Sequence, residues 1–184
     1  MRKIVAGLAI SLDGVVESPP SWMMTNDEMD EVIDTGIAES DAILLGRKTY
    51  VEFANLWPGM GDRFPMAAFM NNTPKYVVSS TLTALDWGDS TLLAGDKAGD
   101  LAGDLATLKQ QPGRNIKIPG SPTLVRSLLL AGLLDELSLM IHPIVLGTGA
   151  RLFDAESERL DLELVESRTF KTGVVSATYH PKRD

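Results

Sequence analysis

Ala42-Ile43-Leu44-Leu45-Gly46-Arg47-Lys48-Thr49-Tyr50 is the stretch that decides the fold, because it joins an apolar run to a glycine and two cations. A short continuous apolar run is typical of a buried strand, and Gly46 permits a sharp turn and close approach of a ligand. The next residues are expected to open a helix, whose unpaired first amides carry partial positive charge. Arg47 and Lys48 add formal charge there, which favours phosphate. An ordinary strand-to-helix turn with two solvated cations has the same pattern, so the choice depends on the rest of the chain.

Three other predicted strands also end in glycine or hydroxyl residues. They cover residues 3–11, 75–80 and 115–118, and the clusters at their ends are Ser11-Leu12-Asp13-Gly14, Ser79-Ser80 and Gly120-Ser121. Ser121 suits the N-cap of a following helix, and Pro122 suits its first position. Ligands of parallel sheets bind at the carboxyl ends of the strands, so these clusters favour a binding site over an ordinary turn at Gly46.

The order of predicted elements is β, α, β, α, β, β, α, β, α, β and then a hairpin over residues 160–168 and 174–179. The strand before the hairpin is expected to be long, over residues 137–145, and Thr25 or Asn26 is expected to cap the first helix. Alternating strands and helices predict an α/β fold with a mostly parallel central sheet, helices on both faces and a C-terminal antiparallel hairpin. A chain of 184 residues suits one well-filled domain, so we expect a single domain over residues 1–184.

Composition excludes several classes of protein. The chain has no cysteine, which excludes disulfides and thiolate metal sites, and its net charge of -8 argues against a nucleic-acid surface. Its two histidines, His142 and His180, suggest neither a hydrolytic triad nor a metal cage, and His142 is expected to be a strand residue with a satisfied ring. Repeated Ala-Gly-Asp triplets predict that Asp96, Asp100 and Asp104 share a solvated helical face.

Other sequence features bear on location and on cofactor binding. The apolar run near the start is too short for a signal sequence, and no apolar run is long enough to span a bilayer, so a cytoplasmic location is expected. Neither the Walker sequence nor the G-x-G-x-x-G fingerprint follows a predicted strand. Phosphate binding therefore requires a different arrangement of residues.

Five pieces of the sequence carry a resemblance to a known family. They are Ser11-Leu12-Asp13-Gly14, Leu45-Gly46-Arg47-Lys48-Thr49-Tyr50, Ser79-Ser80-Thr81-Leu82, Gly120-Ser121 and the run from Ala131-Gly132-Leu133 to Leu146-Gly147. In this order they resemble the dihydrofolate reductase superfamily, and more closely its branch related to the C-terminal reductase domain of the riboflavin-pathway deaminase-reductase. The resemblance implies a three-layer dihydrofolate-reductase-like domain that binds NADPH and reduces a small pteridine- or pyrimidine-like heterocycle.

The resemblance also implies which residues meet the cofactor. Gly46, Arg47, Lys48 and Thr49 would meet the pyrophosphate and the 2′-phosphate, and Ser79, Ser80 and Thr81 would lie along the adenosine. Gly120, Ser121, Thr123 and Leu124 would bring the amides of a helix start to the pyrophosphate, and Gly147 and Thr148 would line the nicotinamide side. Many relatives carry two glycines where this chain has Gly120-Ser121. Cations and hydroxyls suit the additional ribose phosphate, which favours NADPH over NADH.

The substrate side has three candidate residues. Asp13 is the expected catalytic residue at the end of the first strand, although Asp13-Gly14 is also the sequence of a turn. Trp22 is expected to offer a flat wall for a heterocycle, with cover of the core edge as the alternative. Asp30 lies on the helix where dihydrofolate reductases hold the pteridine with an acid. The other acids of that helix that compete with it are Asp27, Glu28, Glu31 and Asp34.

Two alternatives to an NADPH-dependent reductase stay open. A relative that has lost its chemistry would be a non-catalytic NADPH-binding module, and a flavin-binding domain of flavodoxin type would share the alternation of strands and helices. The terminal hairpin and the paired cations disfavour the flavodoxin type. The expected partner is a small-molecule substrate, with no nucleic acid and no membrane, and a homodimer agrees with the resemblance.

Overall fold

The computed structural model describes residues 1–94, 101–154 and 159–182. Within these ranges the chain forms eight β-strands and five α-helices. The strands are β1 (Ile4–Ser11), β2 (Ser40–Gly46), β3 (Lys75–Ser79), β4 (Ser90–Ala94), β5 (Asn115–Pro119), β6 (Glu136–His142), β7 (Leu162–Thr169) and β8 (Val175–Pro181). The helices are α1 (Asp27–Ala38), α2 (Arg47–Leu56), α3 (Pro65–Asn72), α4 (Leu101–Gln110) and α5 (Pro122–Leu130).

Contacts between residues divide the chain into two compact units. The first unit consists of Met1–Ile4 and Val32–Ser121, and the second consists of Val5–Glu31 and Pro122–Asp184. The predicted α/β class, with mostly parallel strand pairing and a C-terminal antiparallel hairpin, is confirmed. A single reductase-like domain over residues 1–184 stays a prediction.

The first unit is built on four parallel strands in the order β4, β3, β2, β5. β2 forms as a strand because its apolar run is buried on both faces: Leu44 is fully inaccessible to solvent on one face, and Ile43 and Leu45 are fully inaccessible on the other. The latter two pack in a cluster with Val77 and Met70, and full burial of each such side chain contributes about 1.5–3 kcal/mol. Because all four strands are parallel, their carboxyl ends lie at one edge of this sheet.

The second unit contains β1, β6, β8 and β7 in that order. β1 and β6 are parallel, with Ser11 opposite His142 at their ends, whereas β6–β8 and β8–β7 are antiparallel. The predicted hairpin is therefore present, and its turn is closed by the Phe170 N–H, which donates to the Val174 carbonyl at 2.8 Å. β7 carries an irregularity between Leu164 and Glu166, a typical feature of an edge strand.

The ends of α1 and β6 differ in how well the sequence predicts them. Asn26 is the cap of α1, because its side-chain oxygen accepts the Met29 N–H at 2.9 Å. The long strand predicted over residues 137–145 is wrong at its end, since β6 stops at His142. Pro143 has no N–H to continue a ladder, and the Ile144 N–H turns back to the His142 carbonyl at 2.8 Å.

The predicted acidic face lies only partly within the described residues. Asp104 is exposed in the first turn of α4, while Asp96 and Asp100 lie outside the described residues. None of the helices in the described part of the chain is long and apolar enough to cross a membrane.

Candidate functional site

Two of the predicted cofactor clusters meet in the first unit, where β2 ends. The Gly46 N–H donates to the Ser121 hydroxyl oxygen at 3.1 Å, which ties the end of β2 to the loop after β5. Gly120 has a φ of +95°, and a Cβ atom there would lie 3.5 Å from the Thr49 methyl carbon, so the first turn of α2 and the loop after β5 lie close together. We call this group of residues, Gly46–Thr49 with Gly120 and Ser121, the cation site.

Ser121 has a different role from the one predicted. α5 begins at Pro122 as expected, but Ser121 has a φ of 54° instead of the extended backbone typical of an N-cap. Its side chain is buried and its oxygen is used by Gly46. The hydroxyl therefore holds two loops together, which is a role that a second glycine at this position could not fill.

Arg47 and Lys48 are the charged groups of the cation site. Both side chains are exposed, and neither makes a hydrogen bond or ion pair with any residue that the structure describes. α2 begins at Arg47, its N-cap Gly46 offers no side-chain acceptor, and its first turn contains no acid. Two formal positive charges and several uncapped amides are thus available at one helix start. This arrangement suits a phosphate group.

The three hydroxyls at the end of β3, those of Ser79, Ser80 and Thr81, differ in their surroundings. The Ser79 hydroxyl oxygen is buried and accepts the N–H groups of Thr81 and Leu82 at 3.2 and 3.0 Å. Both acceptor positions of this hydroxyl are therefore used to shape the turn. Its burial leaves little of it accessible to a ligand. Ser80 and Thr81 are exposed. Of the residues predicted to lie along adenosine, these two can offer their side chains.

In the second unit, Asp13 is the centre of a hydrogen-bonded group that we call the carboxylate cluster: Ser11, Asp13, Leu146, Gly147 and Arg151. The Ser11 hydroxyl donates to Asp13 at 2.7 Å, and the Leu146 and Gly147 N–H groups donate at 3.1 and 2.9 Å. Arg151 donates to the Asp13 carbonyl at 2.9 Å and approaches its carboxylate at 3.4 Å. These bonds join the loop after β1 to the loop after β6.

The hydrogen bonds also determine the charge of Asp13. The Ser11 hydroxyl, followed by the Leu146 and Gly147 N–H groups, holds the pKa of the Asp13 carboxyl well below its usual range. Asp13 is consequently a carboxylate at neutral pH and has no proton to give. It can orient neighbouring groups, but it is unsuited to act as a general acid.

Trp22 is held by contacts on two sides. Its indole N–H donates to the Glu17 carbonyl at 2.8 Å. Its ring meets the His142 ring edge to face, with the ring centroids 5.5 Å apart and the planes at 85°. A fixed, half-buried indole is compatible with both predicted roles, a wall for a heterocycle and a cover for the core edge.

His142 differs from the prediction of a satisfied ring. It is fully buried, and its Nδ1 accepts the Met24 N–H at 3.2 Å, but its Nε2 has no hydrogen-bond partner among the described residues. Burial lowers the pKa of His142, so its neutral form is favoured. No sequence signal indicates the contacts of His142 with Trp22 and Met24 or of Arg151 with Asp13, because these residues are far apart along the chain.

Asp30 is exposed in the first turn of α1. Two of the acids that compete with it are engaged elsewhere in the second unit. Arg168 contacts Glu31 at 3.0 Å and Glu28 at 3.5 Å, and the Lys171 N–H donates to Glu28 at 2.8 Å. Asp30 is therefore more available to a ligand than either of them.

The remaining predicted cofactor residues lie in the second unit. Thr123, Gly147 and Thr148 are exposed, and the Gly147 N–H is already used by Asp13. The Leu124 side chain is buried, so only its backbone in the first turn of α5 could meet a ligand. None of these positions has a charged side chain, which leaves the cation site as the strongest anion-binding feature among the predicted cofactor residues.

A cavity of about 560 Å³ lies elsewhere in the first unit. It is lined by Ser40, Asp41, Phe69, Pro74 and Arg114, at the starts of β2, β3 and β5, and thus at the opposite edge from the cation site. The Asp41 carboxylate accepts from the guanidinium of Arg2 and from the Arg114 N–H. The Arg114 guanidinium donates to the Ser40 carbonyl at 3.2 Å. Both charged side chains that line this cavity are therefore already hydrogen-bonded, and it is a weaker candidate for function than the cation site.

Comparisons with known proteins identify the family of this chain. The family described as RibD C-terminal domain matches residues 2–176. Uncharacterized protein YyaP of Bacillus subtilis (strain 168) is 32% identical over 185 residues, covering 97% of this chain and 95% of that protein.

Two solved structures share the fold. A pyrimidine reductase-like protein from Corynebacterium diphtheriae has a TM-score of 0.70 and 17% identity, covering all of this chain and 93% of the other. Dihydrofolate reductase from Enterococcus faecalis, complexed with NADP(H), has a TM-score of 0.62 and 15% identity, covering 98% and 97% of the two chains. The family match over nearly the whole chain and the 32% identity to a full-length relative lead to one conclusion: the chain belongs to the RibD C-terminal domain family.

Proposed function

We propose that this chain is an NADPH-dependent reductase of a small heterocyclic substrate of pteridine or pyrimidine type. Family membership and the reductase fold support a reductase-like role. The observation that carries the choice of NADPH is the cation site, where Arg47 and Lys48 have no partner among the described residues. The solved dihydrofolate reductase of the same fold is itself a complex with NADP(H).

The residues of the cation site fit the phosphates of such a cofactor. Arg47 can bind a phosphate through two parallel N–H bonds, and Lys48 adds a point charge. The positive φ of Gly120 suits a glycine, and the absence of a side chain there leaves backbone accessible beside Thr49. In our proposal Arg47, Lys48 and Thr49 hold the 2′-phosphate and pyrophosphate, and Ser80 and Thr81 lie along the adenosine.

When bound, NADPH would supply the hydride. The chain would then have to orient the substrate and exclude water. In our proposal Trp22 offers an aromatic face to the heterocycle and Asp30 accepts hydrogen bonds from it. Asp13, as a carboxylate whose oxygens are already shared among several donors, holds the Leu146–Gly147 backbone in place instead of transferring a proton.

The proposal is tested by measuring the affinity of Arg47→Ala for NADPH and NADH. Loss of a charged hydrogen bond to the 2′-phosphate should weaken NADPH binding about tenfold or more and leave NADH nearly unchanged, because NADH lacks that phosphate. Arg63 provides a matched control, since it is also an exposed arginine without a partner in the described residues but lies before α3. Arg63→Ala should bind both cofactors as the wild type does. Equal losses for NADPH and NADH in Arg47→Ala would remove Arg47 from the 2′-phosphate.

A second measurement separates an enzyme from a non-catalytic NADPH-binding module. The module has one structural feature in its favour, because the carboxylate of Asp13, the expected catalytic residue, is already bonded to Ser11, Leu146 and Gly147. NADPH oxidation should be followed with dihydrofolate, with the pyrimidine precursor of riboflavin and with a panel of other carbonyl and imine compounds. Turnover with any of them supports the reductase, and tight NADPH binding without turnover supports the module.

The proposal extends to partners and location. We expect a small-molecule substrate, no nucleic-acid or membrane partner, a homodimer and a cytoplasmic location. Light scattering after size-exclusion chromatography tests the dimer directly, since a monomer at micromolar concentration would contradict it.

A further inference from the structure

His142 is a buried titratable group that the proposed function leaves unused. It is the last residue of β6, lies opposite Ser11 of β1 and is fully inaccessible to solvent. Its ring makes two contacts with the segment of residues 22–24: the Met24 N–H donates to Nδ1, and the Trp22 ring packs against it. A single side chain therefore anchors both ends of this segment.

The hydrogen bond from Met24 fixes the protonation state of the ring. An imidazole nitrogen that accepts a hydrogen bond carries no proton, so the single proton of neutral His142 must be on Nε2. In the imidazolium both nitrogens carry protons, and the Nδ1 proton would then point at the proton of the Met24 N–H. Proton uptake by His142 is thus incompatible with this contact.

The charged groups on neighbouring elements do not compensate for that proton. β1 carries no charged residue, and the only acids between β1 and α1 within the second unit are Asp13 and Glu17. Asp13 is bound by Ser11, Leu146 and Gly147, and the Glu17 carboxylate accepts the Ala150 N–H at 3.1 Å. On β8 the other histidine, His180, faces Glu136 at the far end of β6. Burial alone lowers the pKa of His142.

We propose that His142 is a positioning residue for the segment of residues 22–24 and that it holds this segment only while its imidazole is neutral. Protonation of His142 breaks its hydrogen bond with the Met24 N–H, and the segment of residues 22–24, which carries Trp22, becomes more mobile. The consequence for substrate binding rests on the proposed function, because it requires Trp22 to be the substrate wall. The loosening itself does not depend on that function and can be measured without any ligand.

Amide hydrogen exchange in the full chain tests the proposal. The protection of the Met24 amide, relative to its intrinsic exchange rate at each pH, should fall about fivefold or more between pH 7.5 and an acidic pH at which His142 is largely protonated. Because burial lowers the pKa of His142, that pH lies below the usual titration range of histidine. The Phe170 amide is an internal control, since it donates at 2.8 Å to the Val174 carbonyl in the turn between β7 and β8, outside the segment of residues 22–24. The His142 ring resonances, followed in the same samples, report its own titration.

Two variants distinguish the effect of protonating His142 from the effect of losing its hydrogen bond with the Met24 N–H. In His142→Asn the side-chain oxygen replaces Nδ1 as an acceptor that does not titrate, so Met24 protection should be retained at both pH values. In His142→Leu the acceptor is lost, and protection should be low at both. If the wild type keeps full Met24 protection while His142 titrates, or if His142→Leu retains it, the proposal is wrong.

Measuring KM and kcat as functions of pH distinguishes the role of His142 from the proposed reductase function. If the chain reduces a substrate and Trp22 is its wall, the KM of the wild type should rise over the pH range in which the His142 ring resonances show proton uptake, with a smaller change in kcat. His142→Asn should abolish this rise. A pH-dependent Met24 amide with no turnover at all would support the role of His142 and overturn only the reductase.

Discussion

The cation site and the carboxylate cluster both lie at strand ends, yet they use charge in opposite ways. In the cation site, Arg47 and Lys48 are exposed and unpaired within the described chain, at a helix start that already carries partial positive charge. In the carboxylate cluster, Asp13 accepts hydrogen bonds from a hydroxyl, two backbone N–H groups and an arginine. A charged side chain without a partner is available to a ligand, whereas one that is already hydrogen-bonded stabilises the fold.

The energetic cost of the two arrangements supports this distinction. A cation at a helix N-terminus opposes the helix dipole, at a cost of about 0.3–1 kcal/mol, which a bound phosphate would offset. A carboxylate that accepts several hydrogen bonds is stabilised in its charged form by the folded chain itself. The position of a charged residue at a strand end therefore does not identify a ligand site until its partners are known.

The largest expected effect concerns Gly149, which lies beside the carboxylate cluster, two residues after the Asp13-bound Gly147 in the loop after β6. Gly149 has a φ of +115°, and a Cβ atom there would lie 2.7 Å from a Val15 methyl carbon. Gly149→Ala combines backbone strain with overpacking against a buried residue, so it should lower the free energy of unfolding by about 3 kcal/mol. Urea denaturation measures this loss.

Gly147→Ala is the matched control for Gly149→Ala. Gly147 also has a positive φ, +75°, but no atom lies within 4 Å of a Cβ atom built there. Only the backbone strain remains, and the expected loss is about 1 kcal/mol. Equal losses in the two variants would mean that the close approach to Val15 contributes nothing.

A smaller loss of stability is expected from Asp13→Asn. The amide keeps one acceptor oxygen but turns an NH₂ group toward a former donor, so the Tm should fall less than in Gly149→Ala. Because the folded chain lowers the pKa of Asp13, the stability it contributes is present above the unfolded pKa of about 3.9 and is lost as the pH falls through the folded value. The Tm difference from the wild type should therefore be constant from pH 8 to 5.

The turnover of Asp13→Asn provides a further check. If the chain is a reductase, turnover should fall with little change in NADPH affinity, because the altered loop is not the cation site. For the stability prediction, the lowered pKa of Asp13 would be contradicted if the difference in Tm between Asp13→Asn and the wild type disappeared between pH 8 and 5.

The smallest expected effect on stability comes from the cation site. Without ligand, Arg47→Ala should change the free energy of unfolding by no more than about 0.5 kcal/mol, because the side chain contacts no described partner. With saturating NADPH the Tm of the wild type should rise further than that of the variant. If Arg47→Ala without ligand lost as much stability as Asp13→Asn, Arg47 would have to stabilise the fold. The cation site and the carboxylate cluster would then not differ in how they use charge.

Much of the fold can be predicted from short-range patterns. The apolar run before Gly46 predicts β2, and Ser121-Pro122 predicts the start of α5, because these signals depend on neighbours in the sequence. The predicted end of β6 is wrong although Pro143 is a local signal, since the apolar pattern continues past it. The resemblance to the family predicts that Gly46–Thr49 and Gly120-Ser121 face the same part of a cofactor, and these two segments are in contact in the folded chain.

The use of each polar group could not be predicted, since it depends on residues distant in sequence. Lys75 stands at the start of a predicted strand, yet it is buried, with its ammonium donating to the Asn71 and Thr73 carbonyls and lying 4.5 Å from the Trp87 ring. Burial lowers the pKa of Lys75 to about 8. Ser121 has the sequence context of a helix cap and instead receives the Gly46 N–H.

The sequence by itself determined the order of strands and helices and the presence of two cations and a glycine at the end of β2. Periodicity and turn residues act over a few positions, so they can be read from neighbouring residues. Only the tertiary structure decided that Arg47 and Lys48 have no hydrogen-bond or ion-pair partner in the described chain. It also decided that both carboxylate oxygens of Asp13 accept hydrogen bonds and that His142 accepts one from the Met24 N–H. Hydrogen bonding and burial depend on which distant segments meet, and those contacts determine whether a charged or polar side chain supports the fold or is available to a ligand.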